Sequence, residues 1–207
     1  MKADAVTSST APHEGAQTAD APAVQRLPTW ATWTIGIACI VAAWFVALAT
    51  PGEHDAQAPF EIPAAIGETA TGRNLVVTVT DVRRASEVNA DGWTAEGNWL
   101  VVDLETQAVL TEDRASLSHA DLVVDGNRFT ASERPDSLLR QPLAVGIPLA
   151  GSLAFELPEG LDTGSARLEL ALASDPSLDS MIVLSFELDE VPTESQTELL
   201  PTEWANP

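Results

Sequence analysis

The sharpest chemical motif is Leu161-Asp162-Thr163-Gly164-Ser165, which carries the Asp-Thr-Gly-Ser sequence of an aspartic-protease carboxylate. That chemistry needs two carboxylates sharing one proton. The chain holds a single copy, so proteolysis would require a homodimer that brings two Asp162 together. Asp and Gly also build ordinary turns, and this pentapeptide falls between two predicted strands; a turn is the preferred reading and an Asp162 protease the remote alternative. His119, with Ser116 and Ser118 beside it, offers a base and two hydroxyls on paper. Neighbours in sequence are not a triad, and no Gly-x-Ser-x-Gly elbow presents a nucleophile. Asp103 and Glu105 alternate onto one face of a predicted strand, expected to be solvated, and two carboxylates fall short of the roughly six to eight oxygens that calcium takes. Asp121 and Asp125, next to a predicted hairpin, are read in the same way. Arg83-Arg84 is a basic doublet in an acidic stretch and is expected to pair with local carboxylates. No catalytic, cofactor-binding or metal-ligating residue is assigned, no cofactor is expected, and the chain is expected not to be an enzyme.

Composition narrows the partners. The 207 residues carry 10 Lys plus Arg against 31 Asp plus Glu, a formal net charge of −21. Such a charge repels phosphate backbones, and the basic stripe of a nucleic-acid binder is missing, so no DNA or RNA partner is expected. The one cysteine, Cys39, excludes an internal disulfide framework, and three scattered histidines, His13, His54 and His119, leave little for a transition-metal cluster.

Hydropathy divides the chain into segments. Between Arg26 and Glu53 there is no formal charge, and residues 30–49 (WATWTIGIACIVAAWFVALA) are long and apolar enough to cross a bilayer. Trp30 and Trp33 stand at one mouth of the span. Arg26 before it, and Glu53 and Asp55 after it, predict a single-pass cell-membrane protein with the N-terminus cytoplasmic and the C-terminal domain extracellular. The rival is a cleaved signal peptide ending at Ala47-Leu48-Ala49, ahead of Thr50; the long leader and long apolar run favour an uncleaved anchor. Cys39 lacks a lipoprotein-type approach in Gly36-Ile37-Ala38 and reads as a small apolar residue in the span. Residues 1–29 are expected to be a disordered cytoplasmic tail, 50–65 a tether, 66–190 the folded domain, and 191–207 a disordered acidic tail.

Within the folded part the apolar residues alternate. Leu75, Val77 and Val79 share one face; so do Leu100, Val102, Leu104, Ala108 and Leu110; Leu149, Gly151, Leu153, Phe155 and Leu157; Leu168, Leu170 and Leu172; and Ile182, Leu184, Phe186 and Leu188. Asp125-Gly126-Asn127 predicts a hairpin between Leu122–Val124 and Arg128–Thr130. About seven strands without crossover helices must pack as antiparallel sheets face to face, so the fold class expected is all-β, an immunoglobulin-like β-sandwich after one transmembrane helix. Without a Cys…Trp…Cys pattern, its cohesion must come from the two apolar faces. Trp93 and Trp99 are expected to cap one edge of that core.

The succession RNLVVTVTDV (73–82), GNWLVVDLETQAVL (97–110), LSHADLVVDGNRFTAS (117–132) and GSLAFELPEGL (151–161) resembles the telokin-like, immunoprotective-extracellular-protein type of bacterial domain, one branch of which is a domain of unknown function. The resemblance spans about residues 66–175 and departs at Gln107-Ala108, where the family has an Asn-Gly-like break. It implies a membrane-tethered or secreted immunoglobulin-like domain and no catalytic residue. The expected role is a binding or scaffolding module for a protein or cell-envelope partner, anchored in lipid through residues 30–49. An accessory subunit of a transport or secretion complex is the alternative.

Overall fold

The computed structural model describes residues 28–49 and 57–205, which fall in two compact units. The first contains helix α1, Thr29–Ala49, whose start agrees with the expected span to within one residue. It is apolar on every side, and the Thr34 hydroxyl donates to the Trp30 carbonyl at 2.9 Å, removing one polar group from the surroundings. By length and composition α1 can cross a membrane, and a helix of this kind near the N-terminus is also what a signal sequence looks like. The leader, apart from Pro28 and Thr29, and residues 50–56 of the expected tether lie outside the described residues.

The second unit is a β-sandwich. Its strands are β1 (Phe60–Ala64), β2 (Thr69–Thr71), β3 (Leu75–Ala90), β4 (Trp93–Ala108), β5 (His119–Val124), β6 (Asn127–Thr130), β7 (Leu149–Leu157), β8 (Ser165–Ala171), β9 (Ser180–Glu187), β10 (Thr193–Glu194), β11 (Thr197–Glu198) and β12 (Glu203–Trp204). One sheet runs β1-β9-β8-β5-β6 and the other β10-β3-β4-β7-β12, with β2 and β11 also pairing β3. The long central pairs are antiparallel; β1 on β9, and β10 and β11 on β3, are parallel. Between the sheets lie the alternating residues read from the sequence, among them Val77, Leu100, Val102, Leu104, Leu153, Phe155, Leu168, Leu170, Ile182 and Leu184. Each buried aliphatic or aromatic side chain contributes about 1.5–3 kcal/mol relative to exposure, which is the cohesion the fold has in place of a disulfide. Leu110 departs from the pattern: it lies beyond the end of β4 and is exposed.

Three expectations are corrected here. Residues 60–64 are not tether but an edge strand, paired from Phe60↔Ser180 to Ala64↔Leu184, with Ile62 and Ala64 packed on the core. Pro63 masked it, since a proline is tolerated only where no ladder donor is required, as on an edge. Residues 191–205 are not a loose tail. The Pro192 carbonyl accepts from the Arg84 amide at 2.8 Å, β10 and β11 follow the β3 edge, and the chain then crosses to β7, where Glu203 and Trp204 pair with Ala150 and Leu149. Nor do Trp93 and Trp99 cap the inter-sheet core. Trp99 is fully buried in a second cluster with Ala85, Val88, Val101, Ala154 and Leu199, against which Trp93 packs edge-to-face at 5.9 Å. Since Leu100 and Val102 point between the sheets, this cluster lies on the opposite face of the β4 sheet, and the crossing segment covers it.

Candidate functional site

Two β-bulges in β3, between Val79 and Asp81 and between Ala85 and Glu87, shift its alternation. Arg83 and Arg84 lie in the regular stretch between them and diverge, as neighbours on a strand must, and each finds carboxylates as expected. Arg83 reaches Asp81 at 2.9 Å and Asp103 at 2.5 Å, and also donates to the Thr197 hydroxyl at 2.6 Å and the Glu198 carbonyl at 3.0 Å on the crossing segment. Burial disfavours its charge, but the hydrogen bonds to Asp103 and then Asp81 outweigh that and hold it above the ordinary arginine value. Asp103 is thus not on a solvated face with Glu105. Glu105 is exposed, whereas Asp103 lies under the crossing segment and accepts from the Ser152 hydroxyl at 2.5 Å, which in turn accepts from the Leu200 amide at 2.8 Å.

Arg84, itself buried, clamps the turn holding Asp162: it bonds the Asp162 carboxylate, the Asp162 carbonyl at 3.3 Å and the Leu161 carbonyl at 3.4 Å. Asn98 donates to Pro158 and Leu161 carbonyls in the same turn, at 2.9 and 3.0 Å. Asp125 sits in the Asp125-Gly126 turn between β5 and β6, shorter by one residue than expected because Asn127 already pairs with Val124. Its carboxylate accepts from the Ser165 amide at 3.2 Å.

His119 does not meet a serine nucleophile. Ser116 and Ser118 bond one another at 3.0 Å, while His119 Nδ1 donates to the Ser174 carbonyl at 3.3 Å and Nε2 faces Asp121 at 3.8 Å and Glu169 at 3.7 Å. These carboxylates belong to a lattice of charges on the outer face of the β5 sheet. Arg128 bridges Asp121 and Glu169 at 2.6 and 2.7 Å, and Arg167 bridges Glu169 and Glu61 at 2.9 and 2.7 Å. The hydrogen bond that Arg128 donates to Asp121 leads the effects that raise Arg128, as the one Arg167 donates to Glu61 does for Arg167. The lattice ties β1, β5, β6 and β8 together, with two arginines shared among three carboxylates. Among the described residues, no group of three or more His, Cys, Asp or Glu is arranged to hold a metal ion.

The concave surface with unmatched charge lies elsewhere. A cavity of about 800 Å³ opens between the crossing segment, the tip of the β3–β4 hairpin and the stretch before β7. Its walls include Asp91, Asp136 and Glu198, together with Gln141, Thr202, Trp204 and the apolar Leu149 and Leu200. Asp91 is placed by an Asp91-Gly92 turn, where both residues have positive φ, 38° and 83°, the form suited to a two-residue hairpin. No lysine or arginine lines the cavity. Seven arginines, at 73, 83, 84, 128, 134, 140 and 167, are bonded to other carboxylates, so the three acids here face solvent without a partner among the described residues. Reading 191–207 as a tail hid this site. In the structure Thr197 and Leu199 are buried while Glu198 and Leu200 are exposed, a period of two that Thr-Glu-Leu-Leu does not show as an alternation of apolar and polar residues.

No protein-family model and no curated protein matches the chain. Among solved structures, an uncharacterized β-sandwich protein from Clostridium difficile 630 is similar at 9% identity and a TM-score of 0.45, over 66% of this chain and 99% of that one. Of the resemblance drawn from the strand succession, what stands is a β-sandwich following an apolar helix.

Proposed function

We propose that this protein is a single-pass membrane protein whose acidic sandwich, held outside the cell, acts as a binding module for a protein partner and performs no catalysis. The observation that carries this reading is the open cavity whose three exposed carboxylates have no counter-charge, on a molecule whose buried charges, Arg84, Asp103, Asp121 and Glu169, are all ion-paired. A rigid two-sheet scaffold that leaves charge unmatched in a concavity is suited to recognising a complementary group. The residues that could have served chemistry are engaged otherwise: Asp162 with Arg84, and His119 with a backbone carbonyl and two carboxylates. The uncharged helix and its flanks support anchorage in lipid with the leader inside.

Photo-crosslinking in intact cells tests the module. Benzoylphenylalanine replacing Trp204 is expected to give a discrete adduct of higher mass, and the same group replacing Phe60, on the outer edge strand, is expected to give none. Absence of an adduct at position 204 would overturn the reading. Protease added to intact cells is expected to digest the sandwich and spare the leader; the reverse pattern would overturn the topology.

A further inference from the structure

We propose that the end of the sandwich at which the chain enters β1 rests on the lipid surface, with Phe60, Leu110, Ile147 and Leu178 dipping into the interface. This goes beyond the binding reading above and rests on its membrane anchor. Hydrogen bonds gather that end from stretches far apart in sequence. The Phe60 amide donates to the Asp179 carbonyl at 2.8 Å, and the Leu178 amide to the Gln57 carbonyl at 3.2 Å. Arg73 donates through its amide to the Ser180 hydroxyl at 3.0 Å and through its guanidinium to the Leu178 carbonyl at 3.3 Å. The Asn74 side chain accepts from the Leu110 amide at 2.7 Å and donates to the Thr111 carbonyl at 2.9 Å. The Gly146 amide in turn donates to the Ala108 carbonyl at 3.2 Å, which brings in the stretch before β7.

Eight large apolar side chains are exposed among the described residues of the sandwich, and five of them, Phe60, Leu110, Val145, Ile147 and Leu178, stand in these stretches. Single exposed apolar residues are ordinary, whereas their concentration at one end marks a surface that something covers. Leu178 adds a second sign. Its φ of 59° is a left-handed form costly for a leucine, yet the side chain is 53% exposed, so burial does not offset the strain.

The chain itself says what covers this end. Residues 50–59 are all that separates the last residue of α1 from Phe60, and ten residues reach at most about 35 Å. An α1 held in a bilayer therefore delivers this end to the lipid. The turns at 91–92, 125–126 and 158–164 close the opposite end, and β3 alone, at 16 residues, is about 50 Å long. Charge agrees with the placement. The chain carries −21, but residues 57–60, 72–74 and 142–148 hold no acid. Of the carboxylates in the neighbouring loops, Asp179 pairs with Arg73 at 3.3 Å, Asp175 accepts from the Ser177 amide at 3.1 Å, and Glu112 accepts from the Val145 amide at 3.2 Å. Asp113 stands next to Arg114, which is exposed and has no ion pair among the described residues. Guanidinium groups at 73 and 114 suit lipid phosphates, while the apolar side chains suit the boundary with the acyl chains, roughly 5–10 Å deeper.

The test uses full-length protein, labelled with nitrogen-15, in phosphatidylcholine nanodiscs that carry a gadolinium chelate on a fraction of the headgroups. The amide signals of Thr111, Gly146 and Ser177 are expected to be lost, and those of Gly92, Gly126 and Gly160, in the opposite turns, to be kept. A soluble gadolinium chelate with unlabelled lipid should reverse the pattern. The triple variant Leu110→Asn/Ile147→Asn/Leu178→Asn changes only exposed positions, and asparagine tolerates positive φ at 178. It is expected to recover the three lost signals in the headgroup-labelled discs while its urea midpoint stays at or above that of the unmutated protein. Sharp Thr111, Gly146 and Ser177 signals, equal loss at both ends, or no recovery in a folded triple variant would each overturn the end-on placement while leaving the anchor in place. Failure of the protein to co-purify with the discs is a different result: it removes the anchor, and the placement falls with it.

Discussion

Arg83 and Asp103 meet at 2.5 Å across the β3–β4 pair, and the C-terminal segment roofs both of them through Thr197, Glu198 and Leu200. The side chains keep only 11% and 9% of their exposure, so the pair works at lowered dielectric and its integrity depends on the roof. Removing Asp103 leaves the largely buried Arg83 guanidinium with the half-exposed Asp81 as its one carboxylate and strips the Ser152 hydroxyl of its acceptor. Asp103→Ala is therefore expected to lower stability by about 3 kcal/mol, more than Asp81→Ala, whose carboxylate is half exposed and contributes about 1 kcal/mol or less. Urea unfolding of the two variants side by side checks the order.

The roof has an apolar component as well. Leu199 is buried against Trp99, Val88 and Ala85, and its amide donates to the Asn89 carbonyl at 2.8 Å. Leu199→Ala opens a cavity there and is expected to cost about 2–3 kcal/mol. Hydrogen exchange should accelerate first at the Leu199 and Leu200 amides, before the central strands, if the segment opens as a unit with a smaller free energy than the sandwich.

Sheet class and much of the core were legible because period-two alternation has one physical cause, a face that must be dry. Leu149, Leu153, Phe155 and Leu157 obey it, and they line the interior. What escaped the sequence was the second dry surface. Trp99 and Val101 alternate with Leu100 and Val102, so the run reads as apolar on both faces, yet nothing local says that a segment a hundred residues later will cover the outer one. The acidic cavity was hidden for the same reason: Asp91 and Asp136 are ordinary turn and loop residues until the crossing segment supplies the facing wall. A loop of Pro, Thr and Glu looks disordered by composition, and two buried side chains in it, Thr197 and Leu199, are too few to register as a strand.

Acid should loosen the turn beside His119. The Asp175 carboxyl is held below the usual carboxylate range, first by the Ser177 hydroxyl at 2.6 Å and then by the Ser177 amide at 3.1 Å, with His119 adding a smaller attraction. A carboxyl depressed in the folded state stabilises it above the ordinary value, and that contribution fades as pH falls through the lower, folded value. Exchange at the Ser177 amide is thus expected to speed up, relative to the intrinsic rate, on acidification through that window. Asp175→Asn should flatten the dependence.

The Asp-Thr-Gly-Ser run is a connection that leads into β8, and substitutions should show which of its residues matters. Gly164 has φ of 122°, and a Cβ built on it would press into the Asp125 carboxylate, which accepts from the Ser165 amide at 3.2 Å. Gly164→Ala meets both a backbone penalty and a clash, for an expected loss of about 2 kcal/mol. Asp162 is largely exposed, so Asp162→Asn, which keeps an oxygen for Arg84, should cost about 1 kcal/mol or less. Arg84→Ala should cost more, about 3 kcal/mol, because it also strips donors from the Leu161 and Asp162 carbonyls. Urea midpoints in the order Arg84→Ala, Gly164→Ala, Asp162→Asn, from most to least destabilised, are what a structural clamp requires. A catalytic carboxylate predicts something else: near-native stability for Asp162→Asn together with loss of a pepstatin-sensitive cleavage that the unmutated protein must first display.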